Sequence, residues 1–156
     1  MRIAVVGAGV AGLTAALALQ RDGHDVEVHE RADALRTGGF GLNLWTNAGT
    51  LLAGLGVDIP GEPYDHITFR SGGRQRAVMP MPAPGTPNMN IERGALLKAI
   101  HACLDLDTVR FGAQVTQSAE LFAGGADLLV AADGVGSLLR PDVATRQRIS
   151  RPWAVW

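Results

Sequence analysis

The sequence predicts an α/β fold: a parallel central sheet opened by a βαβ unit, with a small antiparallel hairpin beside it. Three observations carry that reading. A short β-branched run, Ile3-Ala4-Val5-Val6, leads straight into glycines at positions 7, 9 and 12. A helical stretch and a second strand, Asp25–His29, then complete a strand–helix–strand unit within thirty residues. Far along the chain a third apolar run, Ala126–Ala132, ends in Asp133-Gly134.

In chain order, 2–6 reads as a buried parallel strand, short and rich in apolar residues. Residues 10–22 form a helix with Leu13 and Leu17 on its inner face, closed by Gly23 as the C-terminal glycine. Val26 and Val28 of the second strand point one way, and Glu30 stands at its end. Residues 31–44 are polar and glycine-rich, which predicts a loop. A helix is expected over 47–55, ending at Gly56, and a hairpin over 64–70 and 74–79 around Ser71-Gly72-Gly73. Four prolines make 80–87 an extended connection. Asn90 is the expected N-cap of a helix with apolar positions Leu96, Leu97, Ile100, Cys103 and Leu104. Short strands are expected at 108–111 and 114–117.

Composition bounds the function. A chain of 156 residues suits one domain and can bury roughly 70% of its unfolded surface. With 47% hydrophobic and 19% charged residues it reads as globular. A net charge of −1 argues against a general nucleic-acid or membrane-surface binder. Cys103 is the single cysteine, so no intrachain disulfide can form and a cytoplasmic location fits. His24, His29, His66 and His101 show no zinc-ligand spacing. The apolar stretch from Val5 to Gln20 has the length of a secretory or membrane segment, but its glycine spacing and the strand that follows oppose both.

The glycines fall at G-x-G-x-x-G spacing. The first permits a tight turn, the second lets backbone approach a pyrophosphate, and the third lets the helix pack close to the strand. The helix N-terminus then offers free N–H groups and a positive dipole end to phosphate. Glu30, 18 residues after Gly12, can accept hydrogen bonds from both ribose hydroxyls of an adenosine, and disfavours NADP there. Together these features predict a Rossmann-like dinucleotide-binding fold. Arg93, in the first helical turn after Asn90, opposes the helix dipole at a cost of roughly a few tenths of a kcal/mol or more, a sign that a nearby anion would reverse. Asp133 ends a buried strand and would face the same crevice as Gly9 and Glu30.

These segments resemble one family. "VVGAGVAGLTAALALQRDGHDVEVHERA", "LRTGGFGLNLWTNAGTLLAGLGV", "IERGALLKAI" and "ADLLVAADGVGSLLR" are similar to the FAD-binding first part of class A flavoprotein monooxygenases, the para-hydroxybenzoate and salicylate hydroxylase-like group. The resemblance implies that Glu30 binds the adenosine ribose, that Arg36 and Arg93 lie near the FAD phosphates and ribityl chain, and that Asp133-Gly134 links the FAD site to a transient NAD(P)H site. The candidate cofactor-binding set is Gly7, Gly9, Val10, Ala11, Gly12, Glu30, Arg31, Arg36, Asn43, Arg93, Asp133 and Gly134, with no catalytic side chain and no metal ligand. The implied activity is hydroxylation of an aromatic or polyketide-like small molecule through a flavin hydroperoxide.

Family members are much longer, with a second Gly-Asp fingerprint and a substrate-domain sheet that this sequence lacks. Residues 1–150 are accordingly expected to be a C-terminally incomplete FAD-binding domain, with 151–156 the start of a missing strand. Trp153 and Trp156 would leave an apolar edge suited to self-association or a complementary chain. The alternatives are a non-catalytic truncated or split module and, on Glu30 alone, an NAD-linked dehydrogenase.

Overall fold

The computed structural model describes residues 1–82 and 85–143. Its elements are β1 (Arg2–Val6), α1 (Val10–Arg21), β2 (Asp25–His29), β3 (Gly41–Leu44), α2 (Thr46–Gly54), β4 (Glu62–Tyr64), β5 (His66–Ser71), β6 (Arg74–Pro80), β7 (Asn88–Glu92), α3 (Arg93–His101), β8 (Val109–Arg110), α4 (Ser118–Ala123), β9 (Leu128–Ala131) and α5 (Arg140–Val143). Strands β8, β2, β1 and β9 form, in that order, a four-stranded sheet in which every pairing is parallel. Ile3 stands opposite Val26 on one side and Leu128 on the other, so the C-terminal ends of β1, β2 and β9 open on one crevice.

Alternation along the strands divides the core. Ile3, Val5, Val26 and Val28 face one way and pack with Leu13 and Leu17 of α1 and Leu96, Leu97 and Ile100 of α3. Ala4 and Val6 face the other way and pack with Val115, Leu121 and Leu139. The stretch from Val5 to Gln20 is thus the end of a strand, a turn and a helix. Among the described residues no helix is long and apolar enough to cross a membrane.

A second sheet, β3-β7-β4, is antiparallel, and β5 and β6 form a separate hairpin with a register shift at Phe69/Arg70. Here the sequence expectations need correction. The end of the glycine-rich 31–44 segment is a strand, because residues 41–44 pair with 89–92. Asn90 is not a helix cap. It lies mid-strand in β7, opposite Asn43 on one side and Glu62 on the other. Glu92 is the N-cap of α3, and its side chain makes no capping bond. Two-sided strand pairing outweighs the capping preference of one asparagine. Helix α3 stops at His101, so Cys103 and Leu104 reach the core from the following turn. Residues 64–70 are split at Asp65, with Tyr64 paired to β7 and His66 to β6. Residues 114–117 form no strand; Val115 is held by burial against the sheet. The short helices α4 and α5 had no signal in the sequence reading. The expected C-terminal edge at Trp153 and Trp156 lies outside the described residues.

Candidate functional site

The glycine turn is threaded between two strand ends. The Gly7 N–H donates to the His29 carbonyl at 2.8 Å, and the Ala132 N–H donates to the Val6 carbonyl at 2.8 Å. Gly7 has φ +105°, and a Cβ on it would overlap the Ala132 carbonyl oxygen. Gly12 lies inside α1 against the Gly7 carbonyl, where a Cβ has no room. These two glycines answer to the fold.

Gly9 differs. Its backbone is extended, with φ −79° and ψ 178°, and a Cβ would meet nothing within 4 Å. Among the described residues, neither strain nor packing asks for glycine there, and the space beside its backbone is open. Gly9 is the N-cap of α1 and no side chain caps it. The first N–H groups of the helix, at Val10, Ala11 and Gly12, therefore have no intrahelical acceptor. No acidic residue stands in that turn to compete for them.

Glu30 faces the same crevice. Its Oε2 accepts the Ala8 N–H at 2.8 Å and its Oε1 the Ala32 N–H at 2.9 Å. The carboxylate thus ties the glycine turn to the chain leaving β2, and a carboxylate retains acceptor capacity on both oxygens for further donors. Across the crevice, Asp133 Oδ2 accepts the Leu138 N–H at 3.0 Å and shapes the turn after β9. Its Oδ1 is buried and has no hydrogen-bond partner among the described residues.

A cavity of about 200 Å³ brings most of the candidates together. Its walls include Ala8, Gly9, Glu30, Arg31, Leu35, Arg36, Arg93, Ala132, Asp133 and Gly134. A smaller one of about 60 Å³ shares Glu30, Arg31 and Asp133 with it and is walled by Gly7, His29, Ala113, Gln114, Val115, Gly136 and Leu138. Val10 packs partly into the core, and Ala11 is exposed on the first turn of α1. Asn43 is exposed on β3 and lines neither cavity. The sequence reading missed residues 113–115 and Leu138. The first group arrives through tertiary pairing, where the Ala113 N–H donates to the Glu30 carbonyl at 2.9 Å. No local spacing announces it.

A larger cavity, about 260 Å³, lies elsewhere, among Arg2, Glu27, His29, Arg110 and Glu120. Its charges satisfy one another: Glu27 meets His29 Nε2 at 2.9 Å and Arg110 Nη2 at 2.7 Å. It has neither a glycine turn nor a free helix end, so chemistry rather than size locates the site. Burial pushes the His29 imidazole below its ordinary pKa; Glu27 opposes that shift and Arg110 adds to it.

Comparison with known proteins agrees with this geometry. Residues 2–56 match the family model described as FAD dependent oxidoreductase. Over these residues the chain is similar to FAD-dependent oxidoreductases. FAD-dependent urate hydroxylase of Klebsiella pneumoniae is 33% identical over 179 aligned positions, covering 100% of this chain and 47% of that protein. Salicylate hydroxylase of Pseudomonas putida is 30% identical, over 96% of this chain and 40% of the other. Among solved structures, K. pneumoniae HpxO complexed with FAD and uric acid superposes with a TM-score of 0.75 at 28% identity, over 90% of this chain and 41% of that one. An MHPCO Y270F mutant gives 0.75 at 30% identity, over 92% and 42%. The chain spans less than half the length of the curated relatives it matches, and corresponds to their FAD-binding portion. The matched residues therefore include the glycine turn, Glu30, Arg31 and Arg36, while Arg93 and Asp133 come from beyond residue 56.

The residues present fit FAD. A bare helix end and three arginines suit a diphosphate, an acceptor at a strand end suits a ribose, and the open space at Gly9 suits close backbone approach.

Proposed function

We propose that this chain is the flavin-binding portion of an NAD(P)H-dependent monooxygenase that hydroxylates an aromatic small molecule. The observation that carries the reading is the convergence of the Gly9 turn, Glu30, Arg36, Arg93 and Asp133 on one cavity from four separated stretches of sequence. FAD held there would supply the redox chemistry that links NAD(P)H oxidation to dioxygen.

The chain's own residues bind and orient. The N–H groups at the start of α1, with Arg36 and Arg93, hold the diphosphate. Glu30, standing between the two cavities, accepts the adenosine ribose hydroxyls. The smaller cavity, walled by Arg31 and residues 113–115 and reached past Glu30, would receive the adenine end, and Asp133 would offer its Oδ1, which has no partner among the described residues, as an acceptor to the cofactor. The match over residues 2–56 favours FAD over the NAD cofactor of a linked dehydrogenase. The aromatic substrate class is supported by the names of the relatives, urate and salicylate hydroxylases.

A second reading has its own support. The chain covers 47% and 40% of two relatives, so its 156 residues can be assayed as a flavin-binding piece by themselves. Water at the flavin face favours release of hydrogen peroxide over transfer of oxygen to substrate. The 156-residue chain is therefore expected to bind FAD and to oxidise NAD(P)H without coupled hydroxylation. Flavin absorbance and fluorescence titration test the first part. Comparing NAD(P)H consumption, peroxide and product on a panel of phenols tests the second. Failure to bind FAD would remove the proposal, and coupled hydroxylation would remove the second reading.

A further inference from the structure

Residues 32–40 carry Arg36 to the cavity wall without regular secondary structure of their own. The start of α3 holds this loop. The Arg93 guanidinium donates through Nη1 to the carbonyl of Arg36 at 3.3 Å and to that of Gly38 at 3.4 Å. The Arg93 backbone N–H donates to the Phe40 carbonyl at 3.3 Å. Gly39 lies along the arginine stem, where a Cβ would stand 3.3 Å from Arg93 Cδ. Gly94 comes nearest of all. A Cβ on it would overlap the Thr37 carbonyl oxygen and lie 2.7 Å from the carbonyl carbon and 3.0 Å from Cα.

Gly94 is buried in the first turn of α3 and is not among the glycines with positive φ. Its backbone is therefore open to any residue, and space alone asks for glycine. The atoms it accommodates are backbone, which cannot swing aside as a flexible side chain would. A methyl group at 94 must push Thr37 outward, and Arg36 is the residue bonded to it.

We propose that Gly94, acting with Arg93, is a positioning residue for cofactor binding: the first turn of α3 clamps the 36–40 loop and so sets where the Arg36 guanidinium stands. The clamp rests on the reading above that Arg36 meets the FAD diphosphate. It gives Arg93 a task besides charge, since its Nη1 is engaged by two loop carbonyls. Gly94 need not touch the cofactor at all.

A double-mutant cycle read by FAD dissociation constants tests this, together with the rate of tryptic cleavage after Arg36 in the cofactor-free wild-type and Gly94→Ala chains, which keep that arginine. Gly94→Ala is expected to weaken FAD about tenfold, comparable to losing one charge-assisted hydrogen bond, and to speed the cleavage. Arg36→Ala should weaken FAD by a similar factor. If Gly94 acts through Arg36, the double variant binds no more weakly than Arg36→Ala alone. Additive losses, or a Gly94→Ala chain with unchanged affinity and cleavage, would overturn the clamp. Should circular dichroism show Gly94→Ala unfolded, Arg93→Gln replaces it and is read by the cleavage rate alone, because Arg93 also faces the cavity; an unchanged rate overturns the clamp. Should the wild-type chain bind no FAD, the diphosphate assignment falls by itself. The cleavage rates of both variants then decide the clamp, and unchanged rates sink it.

Discussion

The two rims of the candidate cavity are built by opposite means. On the glycine rim, a tight turn is locked between the ends of β1, β2 and β9, with backbone bonds of 2.8 Å to His29 and from Ala132 to Val6. Its geometry follows from seven consecutive residues and the strands they join. On the arginine rim, an irregular loop is held from outside by α3, through hydrogen bonds of 3.3–3.4 Å and a glycine contact 57 residues away in sequence. The first rim is stiff because the sheet's own ladder continues through it. The second is set by side-chain and helix-end contacts that can loosen while the sheet stays intact. Substitutions on the glycine rim should therefore change folding, ligand affinity or both in ways that its backbone geometry sorts.

The largest expected effect is at Gly12. Gly12→Ala drives a methyl group into the Gly7 carbonyl and must lift α1 off the turn. Overpacking against backbone should destabilise the chain by about 2–4 kcal/mol, measured as a shift in the urea midpoint at constant slope. A midpoint equal to wild type would show that the glycine rim yields as readily as the arginine rim.

Glu30→Ala comes next. It removes the ribose acceptor and also leaves the Ala8 and Ala32 N–H groups without their partner. FAD affinity should fall by about 2–4 kcal/mol, with some loss of stability beside it. Glu30→Gln keeps one oxygen acceptor and should lose less of both. Titration of all three proteins checks the order; equal affinities would break the ribose assignment.

Gly9→Ala sharpens the comparison, because it separates ligand from fold on the stiff rim. Nothing lies within 4 Å of the new methyl and the backbone is already extended. Stability should stay within about 0.5 kcal/mol of wild type. FAD affinity should fall about tenfold or more, because the methyl occupies the space the diphosphate needs. A stable variant that still binds FAD fully would move the cofactor away from this turn.

The smallest effect expected is the pH dependence contributed by His29, which joins the glycine rim to the charged pair on β2 and β8. Burial favours its neutral form in the fold. The unfolded chain then binds more protons near the ordinary histidine pKa, so this stabilisation is complete above about pH 6.5 and is lost as pH falls through the lower folded value. His29→Gln should flatten the slope of stability between pH 7.5 and 5 relative to wild type. The carboxylates common to both proteins cancel in that difference. Parallel slopes would mean that Glu27 fully offsets the burial.

Local sequence made the parallel sheet and the glycine rim legible. Gly7, Gly9 and Gly12 follow an apolar strand, Glu30 closes β2, and Asp133 closes β9; each is a short-range pattern whose physics is complete within a few residues. The element reading failed where pairing partners are distant. Gly41–Leu44 and Asn90 look like loop and cap because the hydrogen bonds that make them strands come from each other. Asn43 satisfied a family pattern, yet its side of β3 does not reach the cavities.

What the sequence by itself determined is the glycine turn between strand and helix, the acid at the end of β2, and the fold class that brings strand ends to one crevice, since steric and dipolar rules act there over a turn or two of chain. What only the tertiary structure decided is which glycine faces open space and which answers to packing, and how the Arg36 loop is held. Gly9 and Gly94 are the same letter in the sequence. One faces empty space and the other faces the Thr37 carbonyl, and that difference is made by atoms that are remote along the chain and adjacent in space.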